Sequence, residues 1–184
     1  YRAKTDELAA YFSEFALIKY RTQIEVEYFI ALCQIPLPGL KQVSKDLFPD
    51  LRKIYTNFTI SDAAAIKNIE KTTNHDVKAV EYFLKEKFEA LGLAHQKEFI
   101  HFGLTSQDIN NTAVPLSVKE AVADIFLPQL QKLLAKLQSL SVQFENVSML
   151  ARTHGQAASP TRLGKEFNVY VERIQNQISA LNQV

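Results

Sequence analysis

Residues 106–147 read SQDINNTAVPLSVKEAVADIFLPQLQKLLAKLQSLSVQFENV, a run without a single glycine. Leu130, Leu134, Leu137, Ser141 and Phe144 recur at alternating spacings of four and three, and Leu133 and Leu140 widen the stripe. Apolar residues at this period occupy one face of an α-helix. The run therefore predicts one very long helix, or two coaxial ones, bent at Pro115 and Pro128, where a proline removes a backbone donor. A stripe this long suits a long helix bundle better than a compact globule.

Working outward, the next apolar stripe is Leu163, Phe167, Tyr170, Ile174, Ile178 and Leu181. Ser159 and Pro160 read as its N-cap and first helical residue. The polar residues before them then form a loop, and two long helices joined by such a loop pack antiparallel. Upstream, Thr5 reads as the cap of a first helix reaching about Gln34, where Ile35-Pro36-Leu37-Pro38-Gly39-Leu40 ends it. Shorter helices are predicted over 45–55 and 62–71. Another spans 76–91, with Val77, Val80, Leu84, Phe88 and Leu91 on one face and Gly92 as its stop. The fold class is all-α: a small helical N-terminal domain over 1–105, then the first long helices of a bundle over 106–184. The stripes of both long helices need partners to cover them. A start at Tyr1 without methionine and an end inside a helical pattern are the features of a fragment.

Composition narrows the class. The chain has 184 residues, 47% of them hydrophobic and only five glycines, which suits a packed helical core. A formal net charge of +1 gives no electrostatic footprint for nucleic acid or an anionic membrane, and no apolar run approaches membrane-spanning length. Cys33 is the single cysteine, so no intrachain disulfide can form and a reducing cytoplasm is the expected location.

Three stretches concentrate polar residues at helix ends: Thr72–Phe83 (TTNHDVKAVEYF), His101–Ala113 (HFGLTSQDINNTA) and Leu150–Pro160 (LARTHGQAASP). The first two precede helices, whose free N–H groups and dipole favour an anion. Asn74, His75 and Asp76 add donors and a titratable group at one of them, and Thr105 and Ser106 add two hydroxyls at the other. A carboxylate or phosphate ligand suits such donors. The plainer reading is that Asp76 and Ser106 are caps and the histidines ordinary. His95 and His101 show no partner spacing and are assigned structural roles. No Gly-rich phosphate loop, zinc-spaced Cys/His set, HExxH helix or GxSxG elbow occurs.

Taken in order and spacing, TTNHDVKAVEYFLKEKF, HFGLTSQDINNTAVPL and MLARTHGQAASPTRLGKEF resemble the three motifs of the adenylosuccinate lyase family, of the bacterial type, in the fumarase/aspartase superfamily. The opening YRAKTDELAAYFSEFALIKYR resembles that family's N-terminal segment, so the likeness spans the chain. It implies β-elimination of fumarate from a succinyl nucleotide without metal or cofactor, in a homotetramer whose sites are each assembled from three subunits. His154 matches the family's general acid. Asn74, His75 and Asp76 match a substrate-binding stretch, and Thr105 and Ser106 match residues holding the succinyl part. Tyr1 matches the tyrosine of an Arg-Tyr pair. The general-base serine of the family lies on a loop that has no counterpart within these residues. On this resemblance the polar Arg152–Gln156 segment interrupts the bundle to hold an imidazole at a site built with neighbours. Other readings are a different lyase of the superfamily, such as one acting on argininosuccinate, or a non-catalytic helical oligomerisation module whose polar stretches only cap helices.

Overall fold

A computed structural model describes residues 1–183, which form two compact units, 1–121 and 122–183. Among the described residues, the regular elements are helices except for one antiparallel hairpin.

The first unit is built around one buried helix. Short 3-10 turns lead into α1 (Ala9–Phe12), and the chain then breaks at Ser13 before α2 (Glu14–Cys33). Ser13 is extended, and its hydroxyl accepts the Ala16 N–H, so Ser13 caps α2; Thr5 makes no such bond. The single helix expected from Thr5 is thus two. α2 buries residues nearly all round its circumference, from Ala16 to Leu32, because it packs on α1, on α3 (Phe48–Thr56), α4 (Ile60–Thr73), α5 (Asp76–Ala90) and α6 (Ser106–Ala121). Phe29 of α2 meets Phe88 of α5 edge-on at 4.7 Å, the aromatic geometry that aligns ring edge with ring face. Val77, Val80, Leu84 and Phe88 form the buried face of α5, and Gly92 at φ +80° ends it, as the periodicity predicts. A Thr59–Asp62 capping box starts α4. Between α2 and α3, Arg52 grips Glu27 with two bonds of 2.7 and 2.9 Å while the Tyr55 hydroxyl donates to the same carboxylate.

Across the predicted long helix, Pro115 lies inside α6 and Pro128 in the first turn of α7 (Leu127–Gln143), with a π-helical segment, Val122–Phe126, just before it. The missing N–H of Pro128 leaves an upstream carbonyl without its usual donor, and a local widening of the helix accommodates this. α6 packs on α2 and so belongs to the first compact unit.

In the second unit, α7 is followed by β1 (Ser148–Thr153), β2 (Gln156–Arg162) and α8 (Leu163–Leu181). The loop and the helix start expected at Ser159-Pro160 are replaced by this hairpin, in which Leu150 faces Pro160 and Thr153 faces Gln156. Proline tolerates an edge strand because its absent N–H leaves no ladder bond unmade, and both strands of a two-stranded ribbon are edges. The register slips between Leu150 and Arg152 through an extra residue on β2, next to Pro160. α8 begins only at Leu163, where Thr161 donates to Glu166 at 2.7 Å.

α7 and α8 pack together antiparallel: Ser141 donates to the Gly164 carbonyl at 2.9 Å at one end, while Leu133 and Ile174 line one apolar groove toward the other. Gly164 is what permits the approach. A Cβ there would lie 2.3 Å from the Ser141 carbonyl oxygen and 2.7 Å from Glu145 Cα, both backbone atoms that cannot step aside. Gly164→Ala should therefore cost about 1–3 kcal/mol, the range for overpacking a fixed contact. The measurement is thermal melting by circular dichroism, and an unchanged midpoint would show that the two helices can separate at no cost.

Candidate functional site

The α5 and α6 N-termini lie side by side in the first unit. Asn74 ends α4 in a left-handed conformation, φ +52°, its N–H bonded to the Glu70 carbonyl. This residue tolerates the left-handed region better than most. The reversal it makes sends the chain straight into α5. His75 is the cap of α5: its Nδ1 accepts the Lys78 N–H at 3.2 Å. That bond occupies the Nδ1 lone pair, so the neutral ring carries its proton on Nε2. Nε2 lies 3.3 Å from the Ser106 hydroxyl on the neighbouring helix end.

Neither Asp76 nor Ser106 is the capping residue. Asp76 accepts from the Val77 N–H at 2.8 Å and pairs with Arg21 of α2 at 2.7 Å. Partial burial would raise its pKa, but the Val77 N–H and the Arg21 guanidinium outweigh this and hold it below the usual carboxylate value. Arg21 is itself buried, and its Nε donates to Asn110 of α6 at 2.9 Å. One guanidinium thus ties both helix ends to α2. At α6, Asp108 reaches back to accept both the N–H and the hydroxyl of Thr105, at 2.7 and 2.8 Å. The Thr105 backbone N–H in particular pulls the Asp108 pKa down. The Thr105 hydroxyl proton is therefore already committed.

A pocket of about 320 Å³ opens beside these helix ends, and Asn74, Asp76 and Asp108 are not among the residues that line it. His75, Thr105, Ser106 and Lys78 line it with Glu81, Leu104 and one residue assigned a structural role from sequence, His101. His101 sits at φ +60° and its Nδ1 lies 2.5 Å from Glu25 of α2. Glu25 is fully buried, and its other oxygen, Oε2, has no hydrogen-bond partner. Burial pushes the Glu25 pKa up and the Glu81 carboxylate adds to this, while the contact with His101 pulls it back. Glu81 is held low, since Lys78 and Lys85 outweigh its own burial. The one sequence signal for this pair was a glutamate on the face of α2 that also carries Arg21, one turn earlier. Cys33 takes no part; burial pushes its thiol up to about 11, which leaves a poor nucleophile.

His154 belongs to the second unit, at the tip of the hairpin. His154 and Gly155 are the two turn residues between Thr153 and Gln156, with φ of +51° and +76°. Positive φ at both positions marks the tight turn whose twist matches its strands, and glycine suits the second. Arg152 donates to the Gly155 carbonyl across the turn at 3.3 Å. The imidazole is exposed, so the turn presents it to solvent. Tyr1 is fully exposed at the chain start, and its carbonyl accepts the Lys4 N–H. Among the described residues no group of three or more His, Cys, Asp or Glu side chains is placed to hold a metal ion, and no helix is long and apolar enough to cross a membrane.

The family model described as Lyase matches residues 1–184, and the chain belongs to this family of lyases. Within it, the chain is 54% identical over its whole length to adenylosuccinate lyase of Dictyostelium discoideum, of which it covers 40%. It is 42% identical over its whole length to adenylosuccinate lyase of Escherichia coli (strain K12), covering 41% of that protein. Fumarate lyase from Mesorhizobium sp. BNC1 shares the fold with a TM-score of 0.74 at 19% identity, over 97% of this chain and 39% of the other. A 3-carboxy-cis,cis-muconate lactonizing enzyme from Pseudomonas putida gives 0.70 at 19% identity, over 97% of this chain and 39% of the other. The chain thus spans about two fifths of the length of the relatives it matches.

The Arg21–Asp76 pair makes a pH-dependent contribution. Because Asp76 titrates below its ordinary value, its stabilisation is complete above that value and is lost as pH falls through the lower folded one. Asp76→Asn should lower the melting temperature at pH 7, by an amount equivalent to roughly 1 kcal/mol after allowing for solvent screening. The difference from the parent should shrink below about pH 4. A constant difference across that range in a melting series would assign the loss to packing instead of charge.

Proposed function

We propose that the protein containing this chain is an adenylosuccinate lyase of purine nucleotide biosynthesis. It would release fumarate from adenylosuccinate, giving AMP, and from the succinyl-aminoimidazole-carboxamide ribotide, giving the corresponding amide. The observation carrying this reading is the 54% identity that runs the length of the chain. The pocket chemistry supports it: the substrate is a nucleotide with a phosphate and two carboxylates, and two helix N-termini with His75, Thr105 and Ser106 supply donors for anions.

In such an elimination a base removes the proton from the carbon next to one carboxylate. The C–H electron pair becomes the new C=C bond of fumarate. The C–N pair departs with nitrogen, which an acid protonates. His154 is the proposed acid, since imidazole exchanges protons near neutral pH and a hairpin tip can enter a site shared with other subunits. Asn74, His75 and Asp76 are proposed to bind substrate, Thr105 and Ser106 to hold its succinyl part, and Tyr1 to contact it. Asp76 would act chiefly through the Arg21 pair, which fixes the helix end. The base is expected from a serine loop beyond these residues, and no metal or organic cofactor is called for. A cytoplasmic homotetramer is the proposed state, with the apolar groove of Leu133, Leu137, Phe167 and Tyr170 covered by helices of the remaining chain or of other subunits.

The test uses the full-length protein and an ultraviolet assay on both succinyl substrates. His154→Gln should keep the melting temperature, because an exposed turn residue buries nothing, and should lower turnover by a factor on the order of 10²–10⁴. Mixing it with a variant lacking the loop serine should restore part of the activity, as hybrid oligomers regain intact sites. Near-normal turnover in His154→Gln would remove His154 from the chemistry, and a wild-type protein inactive on both substrates would remove the reading itself.

A further inference from the structure

Glu25 is not explained by folding. It is 0% exposed, yet only one of its two oxygens has a partner. A buried carboxylate with one oxygen unsatisfied destabilises a fold relative to an apolar side chain of like volume. Its one hydrogen-bond partner, the His101 imidazole, sits on a left-handed backbone at φ +60°, a region costly for a residue with a side chain. α2 holds that backbone in place a second time: the Tyr28 hydroxyl donates to the carbonyl of Phe102, the next residue, at 2.8 Å. Two side chains of one rigid helix thus fix one strained histidine, and that histidine lines the pocket. A buried half-satisfied carboxyl and backbone strain at one place are features that cluster at functional sites.

We propose that Glu25 is a positioning residue of the candidate site, holding His101 by Nδ1 so that Nε2 is the ring nitrogen left for the pocket. A carboxylate behind an imidazole fixes the ring's orientation and favours the form with a proton on Nδ1. Among the described residues, His101 is the one side chain recorded against the Glu25 carboxyl. The neighbouring carboxylate, Glu81, is paired with Lys78 and Lys85, and Arg21 is spent on Asp76 and Asn110. His101 is therefore the group that meets the Glu25 carboxyl. His75 is oriented the opposite way, with Nδ1 taken by a backbone N–H. The pocket thus holds two imidazoles set in complementary forms, one by a helix end and one by a buried acid.

The role of Glu25 in turnover rests on the lyase reading above, and the experiment separates the two. In full-length protein, wild-type activity on the succinyl substrates tests that reading first. Three variants then test Glu25: Glu25→Gln, His101→Asn and the double. Asparagine keeps an N–H near the Nδ1 position, so the contact with Glu25 survives while the imidazole is lost. Glu25→Gln should lower kcat/KM roughly 10–100-fold, the usual worth of an outer partner that orients an imidazole, with a melting temperature equal to or above the parent's. The double variant should be no slower than His101→Asn, because Glu25 acts through that ring. Should Glu25→Gln fail to assemble, Glu25→Asp keeps the charge a methylene short, and the same loss in kcat/KM at an unchanged melting temperature is expected. A kcat/KM within about twofold of wild type in the folded variant, or losses that multiply in the double, would overturn the proposal.

Discussion

The first unit depends on a row of polar side chains on one face of α2. Arg21, Glu25 and Tyr28 fall at i, i+4 and i+7, successive turns of the same stripe. Each reaches a different polar segment: Arg21 the α5 and α6 ends, Glu25 the His101 side chain, Tyr28 the Phe102 carbonyl. The other faces of α2 pack in the hydrophobic core through Ile18, Val26, Phe29 and Ile30. α2 is thereby a rigid bar between core and pocket. Helix ends that would fray in water are held to it by charge-assisted bonds, which are shorter and stronger than neutral ones.

This arrangement explains which features the sequence made legible. α5 was readable because its apolar stripe, its polar start and Gly92 all gave the same answer. The two long helices of the second unit were readable from their stripes, which owe nothing to distant residues. The hairpin was not. Ser159-Pro160 fits a helix start and an extended strand equally well, since proline's fixed φ serves both. The deciding signal was His154-Gly155, two residues able to adopt positive φ between stretches long enough to pair. Strand pairing across a turn is a tertiary fact, and a helix cap is a local one. Reading from local signals alone favours the cap.

The same limit hid the His101–Glu25 contact. The two residues lie 76 positions apart; His101 opens one of the polar stretches, but nothing near it in sequence points to Glu25. His75 and Ser106 are 31 apart, but both announced themselves as neighbours of helix starts. Residues that serve a site through local backbone geometry leave a trace in sequence, and residues that serve it through a long-range contact do not. The break at Ser13 belongs to the first kind. Its hydroxyl cap was available to reading, but the continuous apolar spacing from Leu8 to Ile18 masked it.

A consequence follows for how the candidate site relates to stability. The imidazole of His75 caps α5 and the carboxylate of Asp108 closes on Thr105, so two residues that line the pocket, His75 and Thr105, are also bound into the helix ends. Their polar capacity is partly spent before any ligand arrives. An anion docking there meets backbone N–H groups and an Nε2–H already fixed in direction, which lowers the ordering cost of binding. Stability and recognition are therefore coupled in the first unit. His154 stands under the opposite rule: its backbone makes the hairpin turn at φ +51°, while its imidazole is exposed.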